Sequence, residues 1–196
     1  MTDREKILKA VSANQPERSA IPEMNFSIST PDNLSEKFTE ILTNIGGHVV
    51  KTGNYQDIIE YIKLHTTGPQ RVISTIAQLS AVAEKPGSDS LPHELQDVEL
   101  AIIGAHFGIA ENGAVWVTEQ LLPQRVLPFV CQHLVIVLAI DNIVATMHDA
   151  YEKIADSQYG FGTFIAGPSK TADIEQSLVL GAHGSRSMIV FLMTGE

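Results

Sequence analysis

The run Gly167-Pro168-Ser169-Lys170-Thr171-Ala172-Asp173-Ile174-Glu175 gathers the groups best suited to holding an anion. It follows the apolar run Thr163-Phe164-Ile165-Ala166 and precedes Gln176-Ser177-Leu178-Val179-Leu180-Gly181, which predicts a strand running into a turn that opens a helix. Such a turn leaves backbone N–H groups at the positive end of a helix dipole. The Ser169 and Thr171 hydroxyls and the Lys170 ammonium then suit a carboxylate or phosphate. An ordinary helix start explains the same residues, with Thr171 as N-cap and Asp173 and Glu175 in the first turn. Asp173 opposes an anion unless it faces away or pairs with Lys170.

Two histidines add titratable chemistry. His183 stands between Gly181 and Gly184, where an imidazole can act as general base or anion contact and glycine lets backbone approach a ligand. A loop histidine bonded to backbone accounts for it equally. His106, in Gly104-Ala105-His106-Phe107-Gly108, follows the same logic, while His48, His65 and His93 are scattered and read as solvated or locally satisfied. No two histidines sit one helical turn apart beside a carboxylate, so no dedicated metal site is expected. In Ala110-Glu111-Asn112-Gly113, the Asn-Gly pair is a strong hairpin signal between two apolar runs.

Other motifs are excluded. Pro168-Ser169 intervenes before Lys170-Thr171, so the spacing is wrong for a phosphate-binding P-loop. Gly160-Phe161-Gly162 has Ile165 where a dinucleotide fingerprint needs its third glycine. Trp116, Phe107 and Phe161 read as core or pocket lining.

The elements that must position these groups alternate. Helices are predicted over 3–12, from Pro31-Asp32-Asn33 to Gly46-Gly47, from Asn54 or Tyr55 to His65, and over 141–155 with Ile143, Met147 and Tyr151 as a stripe. Strands are predicted at 48–50, 71–74, 98–104, 114–118, 134–140, 163–166 and 188–193, with a loop over 84–93. The alternation implies one α/β domain with a largely parallel sheet covered by helices. Residues 1–31 read as an N-terminal helix and extended arm, and 32–196 as the α/β domain.

Composition narrows the class. The 196 residues are enough to bury a substantial core, and 44% are hydrophobic. A net charge of −10 argues against nucleic-acid binding and against docking on anionic membranes. No apolar run has bilayer-spanning length, and the start lacks a secretory signal's apolar core, so a cytoplasmic protein is expected. Cys131 is the only cysteine and lies among Phe129, Val130 and Leu134, which suggests a buried, inert thiol. One chain with one cysteine cannot ligate an iron–sulfur cluster by itself.

Three stretches together resemble the lactate utilisation protein family, the LUD domain, and most closely its C-type member. They are the 167–175 run, Gly181-Ala182-His183-Gly184, and Gly108-Ile109-Ala110-Glu111-Asn112-Gly113-Ala114-Val115, with Leu134-Val135-Ile136-Val137 as a matching strand. The resemblance covers residues 97–196 well and the first ninety by layout. Ser185 stands where proline is common and Asn112 where threonine is common. It implies a fold like that of ribose-5-phosphate isomerases, glucosamine-6-phosphate deaminases and CoA transferases. The 167–171 turn would then lie beyond the carboxyl ends of the strands. It further implies a non-metal component of a cytosolic L-lactate oxidation system, with iron–sulfur clusters on partner subunits and none here. Gly167, Ser169, Lys170, Thr171 and Gly184 would contact a small carboxylate, phosphate or CoA-type anion, with Glu111 and His183 as catalytic candidates. Because CoA transferases of similar fold use a glutamate in an S-E-N-G stretch as nucleophile, the alternative is an acyl-CoA transferase or hydrolase acting through Glu111. A small-anion sensor is a third expectation.

Overall fold

The computed structural model describes residues 2–17, 19–20, 33–66, 70–87, 91–155, 157–172, 178–181 and 183–195. In chain order the elements are α1 (Asp3–Ala13), α2 (Leu34–Asn44), β1 (His48–Thr52), α3 (Tyr55–His65), β2 (Arg71–Ser74), β3 (Val98–Gly104), β4 (Phe107–Ile109) and β5 (Ala114–Thr118). There follow α4 (Leu127–Val130), β6 (His133–Ala139), β7 (Ile143–Val144), α5 (Met147–Ile154), β8 (Gly162–Ile165), β9 (Lys170–Ala172), β10 (Leu178–Leu180) and β11 (Ser187–Met193).

The main sheet has the order β1-β11-β6-β3-β2 and is parallel throughout. Its central strand β6 is a run of Leu, Val and Ile buried from Leu134 to Leu138, the pattern of a strand covered on both faces. On one face α3 contributes Ile58 and Ile62 to a core with Val135, Leu100 and Phe191. On the other, Phe38 and Leu42 of α2 pack with Leu134, Ile136 and Val190, together with Val115 and Val117 from a second sheet. That second sheet, β7-β4-β5-β8, pairs antiparallel except at β4–β7. Its outer face is covered by Ala150 and Ile154 of α5 against Phe107 and Trp116. The layers are therefore α3, main sheet, α2 with the second sheet, and α5. A largely parallel sheet flanked by helices is as expected; the extra layer was not.

Caps set the helix starts. Asn33 and Asn54 accept from the N–H groups of Glu36 and Asp57. Thr146 and Asp149 form a reciprocal capping box on α5. That box corrects the helix predicted over 141–155: Ile140–Asn142 form a 3-10 turn, and Ile143–Val144 pair with β4 as a strand. A second correction falls on the anion-binding run. Lys170, Thr171 and Ala172 pair antiparallel with Leu180, Val179 and Leu178, so Thr171 is a strand residue and not a helix cap. The N–H of Gly181 donates to the Ser169 carbonyl at 3.0 Å and extends this ladder, so backbone partners of the opposite strand replace the expected helix. Asp173, Ile174 and Glu175 lie outside the described residues, as do Met1, Arg18 and residues 21–31 of the expected N-terminal arm. The loop expected over 84–93 ends in a 3-10 turn at Pro92–Leu95. No helix among the described residues is long and apolar enough to cross a membrane.

Helix α2 also seats the turns that matter below. A Cβ on Gly113, which has φ +70, would meet the backbone of Leu42 at 3.0 Å. A Cβ on Gly167 would meet the Ile45 carbonyl at 3.1 Å. The Glu111 turn and the 167–169 turn thus rest on the same end of one helix, about a turn apart.

Candidate functional site

The 167–169 turn and the loop before β11 form one unit. The Ser169 N–H donates to the Ser185 carbonyl at 2.9 Å, and the Gly181 N–H donates back to Ser169 at 3.0 Å. Gly184 fits against Ser169, where a Cβ would lie 3.1 Å from the serine Cβ. Gly167, Ser169 and Gly184 are therefore brought together. Lys170 and His183 are exposed on this unit, and Thr171 is half-buried. Arg186, not anticipated, is exposed as well, and its side chain lies over Gly181. Three basic side chains thus flank the loop pair of a chain with net charge −10.

Its place in the fold differs from expectation. Pro168 lies beside Gly46, two residues before β1, and Ser169 bonds to Ser185, two residues before β11. The loop pair therefore borders the amino ends of the parallel strands, not their carboxyl ends. The cause is β8, which runs antiparallel to β5 and delivers the chain to the opposite edge of the molecule.

Glu111 occupies a tight turn between β4 and β5. The Ala114 N–H donates to Asn112 Oδ1 at 3.0 Å, and the Gly113 N–H to the Ile109 carbonyl at 3.0 Å. The carboxylate of Glu111 accepts from the N–H of Met147 at 2.7 Å, the first residue of α5. A negative charge there complements the helix dipole. Its backbone N–H donates to Ala145 at 3.0 Å, which ties the turn to the same helix start. Glu111 is thus directed to α5, while Lys170 and His183 belong to the loop pair.

The carboxyl edge carries a separate cavity of about 330 Å³ lined by His106, Thr118, Gln120, Asn142, Lys153 and Tyr159, among others. His106 follows the end of β3, and its Nε2 lies 2.8 Å from Thr118 Oγ1. Burial lowers its pKa, because charging the ring there loses hydration. The Lys153 ammonium stands 5.3 Å from the centre of the Phe107 ring, and Tyr159 meets Trp116 edge to face. Glu119 fixes the rim by accepting the N–H groups of Gly160 and Phe161; these bonds, Gly160 first, hold its carboxyl below the usual range. The signal for this cavity was His106 just past a strand end. Lys153 and Tyr159 carried none, since they join it only through the packing of α5 on the second sheet.

Cys131 is buried, and burial pushes its thiol up to about 12. Among the described residues, no three His, Cys, Asp or Glu side chains are grouped to hold a metal ion.

Comparison with known proteins follows the same outline. An uncharacterised protein of Neisseria meningitidis serogroup B is 30% identical over 97 residues, 48% of this chain and 42% of its own length. The chain thus spans less than half of that relative. Lactate utilization protein C of Bacillus pumilus is 22% identical over 175 residues, 86% of this chain and 72% of its own length. The crystal structure of a DUF162 family protein from Deinococcus radiodurans superposes with a TM-score of 0.64 at 16% identity, covering 82% of this chain and 96% of its own, which shows a shared fold. The LUD domain model matches residues 72–193, from β2 to the end of β11, and so the chain belongs to the LUD domain family.

Proposed function

We propose that this protein serves lactate utilisation as a metal-free, cytoplasmic component of L-lactate oxidation to pyruvate. It acts beside iron–sulfur partner subunits and holds a small carboxylate at the loop pair. The resemblance to a lactate utilization protein C supports the pathway. The observation that carries the carboxylate is the bonding of Ser169 to both Ser185 and Gly181, which surrounds one pair of loops with Lys170, His183 and Arg186. The Lys170 and Arg186 cations at such a spot attract an anion that the rest of this acidic surface repels. A single buried cysteine cannot furnish the thiolates of a cluster, so any iron–sulfur cluster of the system belongs to partner subunits.

The test is a tagged pull-down from native cells grown on L-lactate, with mass spectrometry and an iron assay on the eluate. Iron-bearing, cysteine-rich partners are the expected recovery. An iron-free protein recovered alone, with growth on lactate unaffected by its deletion, overturns the reading.

A further inference from the structure

Three side chains at the amino edge of the main sheet form a second constellation, on the face opposite α2. Ser187 and His133 are register partners at the starts of β11 and β6. His133 Nδ1 lies 2.7 Å from Ser187 Oγ, and its Nε2 lies 3.6 Å from Glu99 Oε1 on β3. The register of β2 with β3 explains the carboxylate. Arg71 pairs with Val98 and Val72 with Leu100, so Glu99 is the extra residue of a β-bulge, which re-aims a side chain. The neighbouring cation does not compete for it, because Arg71 is engaged by Glu84 at 3.1 Å and Asp97 at 2.7 Å. With Nε2–H directed at Glu99, Nδ1 is left as the acceptor for the serine hydroxyl.

The group opens on a cleft of about 370 Å³. Leu100 and Ile189 give it an apolar floor, while Tyr61 and His65 of α3 form the facing wall. Burial raises the Tyr61 pKa, which keeps its hydroxyl a proton donor. The charged and titratable groups facing His133 are thus Glu99 from β3 and Tyr61 and His65 from α3.

We propose that Ser187, His133 and Glu99 form a serine nucleophile, general base and positioning carboxylate that hydrolyse small acyl esters in this cleft. Ser187 Oγ attacks the ester carbonyl carbon while His133 Nδ1 takes the hydroxyl proton. The C–O bond to the alcohol breaks, and the alkoxide leaves with that proton as a neutral alcohol. Water, deprotonated by the same nitrogen, then attacks the acyl-serine and releases the acid, restoring Ser187. Glu99 acts through His133 by orienting the ring. This activity requires no partner subunit, so its test is independent of the lactate reading.

The experiment treats the purified full chain with a fluorophosphonate probe and, separately, with p-nitrophenyl acetate. Peptide mass spectrometry is expected to find the adduct on Ser187. Ser187→Ala and His133→Gln, each verified as folded by circular dichroism, should lose labelling and at least about 100-fold in kcat. Glu99→Gln should lower kcat more than it changes KM, since the ring loses the carboxylate that orients it. An unlabelled Ser187 in the folded chain overturns the proposal. So does a Ser187→Ala protein that hydrolyses the ester at the wild-type rate.

Discussion

Gly184 and Ser169 lie so close that a Cβ on the glycine would sit 3.1 Å from the serine Cβ, and Gly184 has φ +149. Gly184→Ala therefore combines a backbone conformation unfavourable to L side chains with a contact that must give. A loss of about 1–3 kcal/mol is expected. Urea unfolding should show a lower midpoint with an unchanged slope. Wild-type stability in this variant would mean that the two loops are not held together as described.

Glu111 separates two roles by one substitution. As the anchor of α5, its carboxylate accepts one N–H bond from Met147 at 2.7 Å, which a glutamine carbonyl can also accept. Glu111→Gln should then fold with nearly wild-type stability and complement a deletion strain on L-lactate, while Glu111→Ala loses roughly 1 kcal/mol. A folded Glu111→Gln protein without function would instead favour a nucleophilic carboxylate, because an amide cannot form the acyl anhydride.

His106 predicts a slope of stability with pH. Its folded pKa is lowered by burial below the unfolded value of about 6.5. As pH falls through about 6.5, the unfolded chain takes up a proton that the folded chain refuses, so stability drops until pH reaches the folded value. His106→Gln should flatten this part of the profile below about pH 7. Urea titrations of both proteins across that range measure the difference. Parallel profiles would show that the ring is not buried in its neutral form.

How much of this was legible depends on range. Arg71–Ser74, Val98–Gly104 and Ala114–Thr118 stood out because buried strands read as short apolar runs between breakers. The same rule failed at Ile143 and Val144, where two residues are too few to signal a strand and continue a helix-like spacing into α5. Leu178, Val179 and Leu180 fit a helix or a strand, and only the partner strand decides. The pairing of Ser169 with Gly184 had a trace in the sequence, since both stretches carry the family resemblance. Ser187 and His133, separated by 54 residues, had none. Their meeting depends on strand order, and the aim of Glu99 on a bulge that no periodicity announces.

Cys131 offers a chemical check on the core. Its thiol, pushed up to about 12 by burial, carries almost no thiolate at neutral pH. The native protein should leave a disulfide reagent such as Ellman's unreacted over hours, with one equivalent consumed once urea unfolds the chain. Rapid reaction of the folded protein would place the cysteine outside the core.

The location of the carboxylate can be settled by charge removal at two places. If the anion rests on the loop pair, Lys170→Ala and His183→Ala each remove a group flanking Ser169 and Gly184 and should weaken pyruvate binding about tenfold. Lys153→Ala alters only the cavity at the other edge and should leave that affinity unchanged. Because Lys170 and Arg186 are exposed, the affinity should also fall between about 10 mM and 150 mM salt, as the screening length shortens. Calorimetric titration of the three variants reads both effects. The reverse pattern, with loss only in Lys153→Ala, would move the ligand to the cavity beside His106, at the carboxyl ends of β3 and β6 where open parallel sheets ordinarily bind.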